Sequence, residues 1–226
     1  MAKVAVILPA AGASKRFGDE CKIVVEIAGE PVFLHTVRRF LGRGDVCQVL
    51  LVVPPVAGDE LQRRLAEELY GLDVTLVTGG ATRTESVRNA LAQVAPEADL
   101  VAVHDAVRPC VTPACIDAVF AEAARSGAAL LAWPVHATLK RVGPGEVVQE
   151  TLSREDVWEA QTPQVFRKDW LADAYAGDAE ATDDAALVQA AGHEVRVVPG
   201  DPRNIKITRP DDLALAEAIL RTMNQA

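Results

Sequence analysis

The sequence predicts a doubly wound α/β fold built on a mostly parallel sheet, and three observations carry that prediction. Strand-like runs recur that are apolar throughout, such as Val4–Leu8 and the CQVLLVV of 47–53. Strands of that kind belong to sheets covered on both faces. Amphipathic segments of helical period separate them, which is the alternation expected of parallel crossovers. Finally, glycine-rich and charged clusters directly follow the strand candidates, at the carboxyl edge where open α/β sheets bind ligands.

Taken in order, the strand candidates are 4–9, 47–53, 73–77, 99–103, 128–134 and 194–198. Helix candidates fill the intervals at 32–42, 58–69, 83–94, 113–126, 182–191 and 210–222. The last has clear start chemistry, with Thr208 as a cap and Pro210 in the first turn. One segment breaks the rhythm. From His136 to Glu150 the chain reads HATLKRVGPGEVVQE, two short strand-like pieces around Gly143-Pro144-Gly145, which is a hairpin signal. A lone hairpin has too little core to stand alone, and nothing else in the predicted fold uses antiparallel strands. The arm 136–150 is therefore expected to dock on a second copy of the chain, making a homodimer. A hairpin folded back on its own domain is the alternative. No Gly-, Ser- or Pro-rich linker divides the 226 residues, so 1–226 reads as one domain.

Composition excludes several classes. A formal net charge of −9 argues against nucleic acid, whose partners normally carry a basic surplus. No stretch approaches a membrane span, and the first apolar run serves better as a strand than as a signal peptide, so a cytoplasmic protein is expected. Cys21, Cys47, Cys110 and Cys115 form no CxxC pair and have no histidine at zinc-finger spacing. They read as free thiols.

The chemistry concentrates in the polar clusters. After the first strand, Pro9-Ala10-Ala11-Gly12-Ala13 leads to Lys15, Arg16 and Lys22. Small residues let the main chain approach a phosphate, and the cations neutralise it. Neither G-x-x-x-x-G-K-[ST] nor G-x-G-x-x-G is present. After 73–77 come Gly79, Gly80 and Ala81, opening a helix whose first turn is expected to offer free N–H groups, with Ser86 turned back toward the loop. After 99–103 come His104, Asp105, Ala106 and Arg108. His104 lacks a Ser or Cys partner and reads as structural; Asp105 and Arg108 read either as a local ion pair or as a ligand clamp. Thr138 and Lys140 lie in the hairpin, Arg154 follows it, and Thr162-Pro163-Gln164 comes later. Near the end, Lys206 sits between isoleucines in a short predicted strand. Cations gathered from distant parts of an acidic chain, with no evident nucleophile, suit phosphoryl or nucleotidyl transfer.

At this point the chain resembles the 2-C-methyl-D-erythritol 4-phosphate cytidylyltransferase family. The likeness rests on PAAGASKRFG, GGATRTESV, VHDAVRP, the TLKR of the hairpin, R-x-x-x-W and TPQ-F over 154–166, TDDA at 182–185 and NIKITRPDDL. It implies a Rossmann-like nucleotidyltransferase fold and transfer of CMP from CTP to methylerythritol phosphate. Carried over motif by motif, Arg16 and Lys22 would stabilise the transition state at the α-phosphate. Ala10, Ala11, Gly12 and Ala13 would cradle the triphosphate, and Gly79, Gly80, Ala81 and Ser86 would line the cytosine pocket. Asp105 and Ala106 would meet the ribose or the second substrate, while Arg108, Thr162 and Lys206 would hold the sugar phosphate. The resemblance makes the hairpin the dimer contact, so that Thr138 and Arg154 reach the neighbour's site; Arg154 and Lys206 count among the catalytic cations. Mg2+ would be held mainly by the CTP phosphates, with Asp105 as the one candidate ligand. Departures from the family's pattern fall in two places: Cys21 precedes Lys22 in place of a proline and Ile23-Val24 follow it in place of Gln-Phe or Gln-Tyr, and Ala137 replaces an aspartate. Two other readings stay open. One is a cytidylyltransferase for another polyol phosphate, such as ribitol 5-phosphate, and the other is a non-catalytic nucleotide-binding protein.

Overall fold

A computed structural model describes residues 1–10, 24–55, 59–177 and 179–223. The first strand, β1 (Val4–Pro9), is buried nearly throughout, because its Val4, Val6 and Leu8 feed the core on one face and its Ala5 and Ile7 the core on the other. That is the two-sided burial its unbroken apolar run demands. The ribbon β2 (Glu26–Ile27) and β3 (Glu30–Pro31) leads into α1 (Val32–Arg38). Then follow β4 (Val46–Val53), α2 (Asp59–Glu68), β5 (Thr75–Thr78), α3 (Arg83–Leu91), β6 (Leu100–Val103), α4 (Pro113–Ser126) and β7 (Ala128–Pro134). The hairpin is β8 (Leu139–Val142) and β9 (Val148–Leu152). After it come β10 (Trp158–Arg167), α5 (Lys168–Ala174), α6 (Asp184–Ala190), β11 (Arg196–Pro199) and α7 (Asp211–Met223).

Seven strands form the main sheet in the order β11-β7-β10-β6-β1-β4-β5. Among the described residues, α1, α2, α4 and α7 contribute to the core on one face, through Phe33, Leu65, Ile116 and Leu220. On the other face α3, α5 and α6 contribute Val87, Leu171 and Val188. All six expected strands and six expected helices are present, with ends shifted by a few residues; α1, for instance, stops at Arg38 and α3 at Leu91.

Besides the short ribbon β2–β3, two elements escape the sequence reading. The first is β10, which runs antiparallel between β6 and β7 in the middle of the sheet. The expectation that only the hairpin uses antiparallel strands is therefore corrected. Pro163 hid this strand, since a proline argues against a central position. The chain accommodates it at an irregularity: Ala160 faces Ala132 and Gln164 faces Leu130, so residues 161–163 stand opposite Leu131 alone. The second is α5, a seven-residue helix.

Near the end, Lys206 lies in irregular chain and not in a strand. The expected cap of the last helix is also corrected. Asp212 accepts from the backbone N–H groups of Thr208 and Arg209 and from the Thr208 hydroxyl, so the cap acceptor is the carboxylate. The hairpin pairs Leu139 with Leu152 and Arg141 with Glu150, extending two residues beyond the expected Glu150. It forms its own two-stranded sheet, and Val142, Val147 and Val148 on it are more than half exposed. Cys47, Cys110 and Cys115 are free thiols, and burial pushes the Cys110 thiol up to about 11. No helix among the described residues is long and apolar enough to cross a membrane.

Candidate active site

Strand order reverses at β1, with β4 on one side and β6 on the other, and the edge beyond the carboxyl ends at such a switch is where open α/β sheets bind ligands. Asp105, two residues past β6, stands there. Its Oδ2 lies 3.0 Å from Arg108 Nε and 3.1 Å from Lys206 Nζ. Burial opposes its ionisation, yet Lys206, Arg108 and Arg83 together hold the carboxyl well below the usual carboxylate range. Arg108 also donates to the Asn204 carbonyl at 2.8 Å. The ion-pair reading of Asp105 and Arg108 therefore holds, and Lys206 stands 40% exposed beside that pair. Among the described residues no set of three or more His, Cys, Asp or Glu side chains is placed to hold a metal ion. The one candidate ligand, Asp105, carries two cations on one oxygen, so these residues do not fit a resident metal.

Because β10 runs against its neighbours, its first half projects past β6 toward the same edge. Gln164 pairs with Val103, the last residue of β6, and Thr162 therefore comes beside the turn that follows. Thr162 Oγ1 accepts the Asp105 N–H at 3.1 Å and lies 3.0 Å from His104 Nδ1. His104 is fully buried and serves structure, as its lack of a nucleophile partner implied. Ala106 is also fully buried; its N–H faces the Pro9 carbonyl and its own carbonyl accepts from Thr36 Oγ1.

On the β4 side of the switch, Gly79 extends the edge strand with a hydrogen bond to the Val53 carbonyl. Thr82 and Glu85 form a capping box at the start of α3. Glu85 Oε2 takes the Ala81 N–H at 2.6 Å, and Ser86 Oγ takes the Gly80 N–H at 3.1 Å. The expected free N–H groups of this turn are thus engaged at Gly80, Ala81 and Glu85, which gives the loop a fixed shape. Gly80 is required for it, since a Cβ there would sit 2.3 Å from Glu85 Cβ. Ala10, at the end of β1, donates to Val52 O and is 5% exposed.

Sequence reasoning missed the residues that tie these loops together. Arg83 makes a two-pronged bond to the fully buried Asp184, at 2.9 and 2.6 Å, and the Tyr175 hydroxyl donates to the same carboxylate. Burial works against the Arg83 charge, but Asp184 raises its pKa above the ordinary arginine value. Gln164 donates to Asp183 and accepts from the Ala185 N–H, both at 2.9 Å. Asn204 donates to the Thr162 carbonyl at 2.8 Å and to Gln161 Oε1 at 3.3 Å, while its own Oδ1 has no partner among the described residues. Gln164 and Asp184 stand in the TPQ-F and TDDA motifs, which gave them no role, and the sequence signal for Gln161 is polarity close to a proline in an apolar run.

Arg154 and Thr138 stand apart from this cluster. Both are exposed, and Arg154 donates to the His136 carbonyl at the base of the hairpin. Ala11, Gly12, Ala13, Arg16 and Lys22 lie outside the described residues.

A strand-order switch edged, among the described residues, by the 79–86 loop and by Arg108 and Lys206 around Asp105 is the arrangement of a nucleotidyltransferase-type α/β protein. The model of the 2-C-methyl-D-erythritol 4-phosphate cytidylyltransferase family matches residues 4–222, and the chain belongs to that family. It is 44% identical over 234 aligned residues to the enzyme of that name from Rhodopirellula baltica, covering 97% of this chain and 95% of that one. It is 42% identical to the one from Solibacter usitatus, over 97% and 96%. Among solved structures, the Thermus thermophilus enzyme of the same name is similar with a TM-score of 0.81 and 37% identity, covering 97% of this chain and 99% of that one.

Proposed function

We infer that this cytidylyltransferase moves CMP from CTP to 2-C-methyl-D-erythritol 4-phosphate and releases pyrophosphate. Family membership over residues 4–222 supports the reading, and the cluster of Asp105, Arg108 and Lys206 is the observation that carries it. An ionised carboxylate flanked by two cations suits a polyol phosphate, with hydroxyls for Asp105 and a phosphate for Lys206 and Arg108. The shaped loop at 79–86 is read as the cytosine pocket, where main-chain groups of Gly79, Gly80 and Ala81 select the base beside Ser86. Ala10 to Ala13 cradle the triphosphate, and Arg16 and Lys22 carry the charge that builds on the α-phosphate during in-line attack. A divalent ion, Mg2+, is read as arriving with CTP as part of the substrate. Soluble substrates of this kind favour a cytoplasmic site of action.

The assembly belongs to the same proposal. The hairpin stands clear of the main sheet with exposed valines, and a second copy of the chain is its proposed partner. Thr138 and Arg154 would then reach the partner's substrate phosphate. Turnover of CTP with methylerythritol phosphate and, in parallel, with ribitol 5-phosphate tests the substrate. A preference for the first by kcat/KM is expected. Equal or better use of ribitol 5-phosphate, which Ala137 in place of the family's aspartate would then explain, overturns it.

A further inference from the structure

Four polar side chains in and just after α1 bond to other elements. Thr36 is fully buried, where a hydroxyl is costly unless it is bonded. Its Oγ1 lies 2.9 Å from the Ala106 carbonyl oxygen and 3.4 Å from that of Val32. Both oxygens can only accept, and the single hydroxyl proton goes to the nearer one, on the turn after β6. Three residues on, Arg39 Nε donates to the carbonyl of the buried Pro109 at 3.0 Å. Beside it, Phe40 sets its ring edge-on to His104 at 5.2 Å. Residues 36, 39 and 40 share one helix face. The backbone stays helical to that point, with the N–H groups of Arg39 and Phe40 bonded to the Thr36 and Val37 carbonyls. The other two polar side chains serve a different element. His35 Nε2 donates to the Ile27 carbonyl at 2.8 Å, and Arg38 pairs with Glu30 at 2.8 Å, so both hold the β2–β3 ribbon.

We propose that Thr36 and Arg39 are positioning residues, which hold the turn 105–109 from the α1 side, and that Arg39 does so through its Nε hydrogen bond and not through its charge. The two carbonyls they grip, Ala106 and Pro109, bracket Arg108 in the chain. Within the turn the Arg108 N–H bonds the Asp105 carbonyl at 3.0 Å, and the two side chains meet at 3.0 Å. Asp105 and Arg108 thus project from a backbone fastened at two points to one helix face. Ala106 is fully buried, so its carbonyl has no water to turn to when the hydroxyl is removed. The loop at 79–86 is held by other bonds, through Thr82, Glu85 and Ser86. Slackening the α1 contacts should therefore disturb the turn and leave that loop alone.

This inference rests on the proposed polyol-phosphate substrate, and two measurements keep its failure separate from that of the reading. The first is steady-state kinetics with methylerythritol phosphate, beside the Kd for CTP measured alone. Thr36→Val and Arg39→Met should each lower kcat/KM for methylerythritol phosphate about tenfold, the effect of one buried hydrogen bond, with the Kd for CTP unchanged. Thr36→Ser returns the hydroxyl and should recover most of the loss. Arg39→Gln carries an N–H donor at the position of Nε and no charge, so it should stay close to the wild type. Arg39→Gln as poor as Arg39→Met would make the charge the working part, and an equal loss for both substrates would reduce the contacts to general packing; either result overturns the proposal. The second measurement needs no turnover. Cys110, next to Pro109, is a fully buried free thiol, and its labelling by N-ethylmaleimide in the ligand-free protein is followed peptide by peptide. Labelling should be slow in the wild type, in Arg39→Gln and in Arg38→Ala, which touches only the ribbon, and about tenfold faster in Thr36→Val and Arg39→Met. Unchanged labelling in those two variants overturns the proposal, whereas a wild type inactive on methylerythritol phosphate refutes only the substrate reading.

Discussion

At the residue scale the site depends on charges held where water would not place them. Lys206 is the more exposed of the two cations on Asp105. Lys206→Ala should lower kcat/KM for the polyol phosphate by roughly a hundredfold, the usual effect of losing one preorganised charge. An effect confined to CTP would move Lys206 to the other substrate. His104 gives a pH signature. Its folded pKa of about 4 lies below its ordinary 6.5, so between these values the unfolded chain holds a proton that the folded one does not. Stability from this group is complete above about pH 6.5 and falls with pH toward 4, by about 3 kcal/mol in all. Thermal unfolding at pH 7 and pH 5 should show a smaller drop in His104→Leu than in the wild type. Equal drops would place the protonation elsewhere.

At the element scale the antiparallel β10 organises the edge. Its Gln161, Thr162 and Gln164 reach three different loops, at 201–204, 104–105 and 183–185. The buried bond between Arg83 and Asp184 fastens α3 to α6 in the same region. Asp184→Ala leaves a largely buried guanidinium unpaired and should cost about 3 kcal/mol of stability. Arg221→Ala, which breaks an exposed pair with Glu217 within α7, should leave the urea midpoint unchanged within error. If both variants unfold alike, the buried pair has no special standing. These contrasts also show what the chain made legible. Period and apolar runs exposed six strands and six helices, because each buries a continuous face. The clusters around Asp105 and Gly79 were legible because they follow those strands. β10 was not, since Pro163 contradicts a central strand unless an irregularity absorbs it. Nor were Asn204 or the Arg83–Asp184 pair, because their partners lie 42 and 101 residues away and no local pattern announces such contacts.

At the scale of the whole molecule, the proposed dimer would divide the active site between two chains through the hairpin. Val142, Val147 and Val148 on the arm are exposed in the single chain, as are Val157 and Trp158 just after it. These exposed apolar side chains are the ones the proposed partner would cover. Arg154 is fastened to the base of the same arm, so docking would carry it to the partner's nucleotide loop. The most direct measurement mixes two separately inactive variants, Lys22→Ala and Arg154→Ala, and follows formation of CDP-methylerythritol after subunit exchange. Random pairing of equal amounts makes half of the dimers mixed, each with one intact and one doubly damaged site. Activity should therefore return to about a quarter of the wild-type level, by the two-fold logic of such interfaces. No recovery after verified exchange would mean that Arg154 serves its own chain and would contradict the shared site.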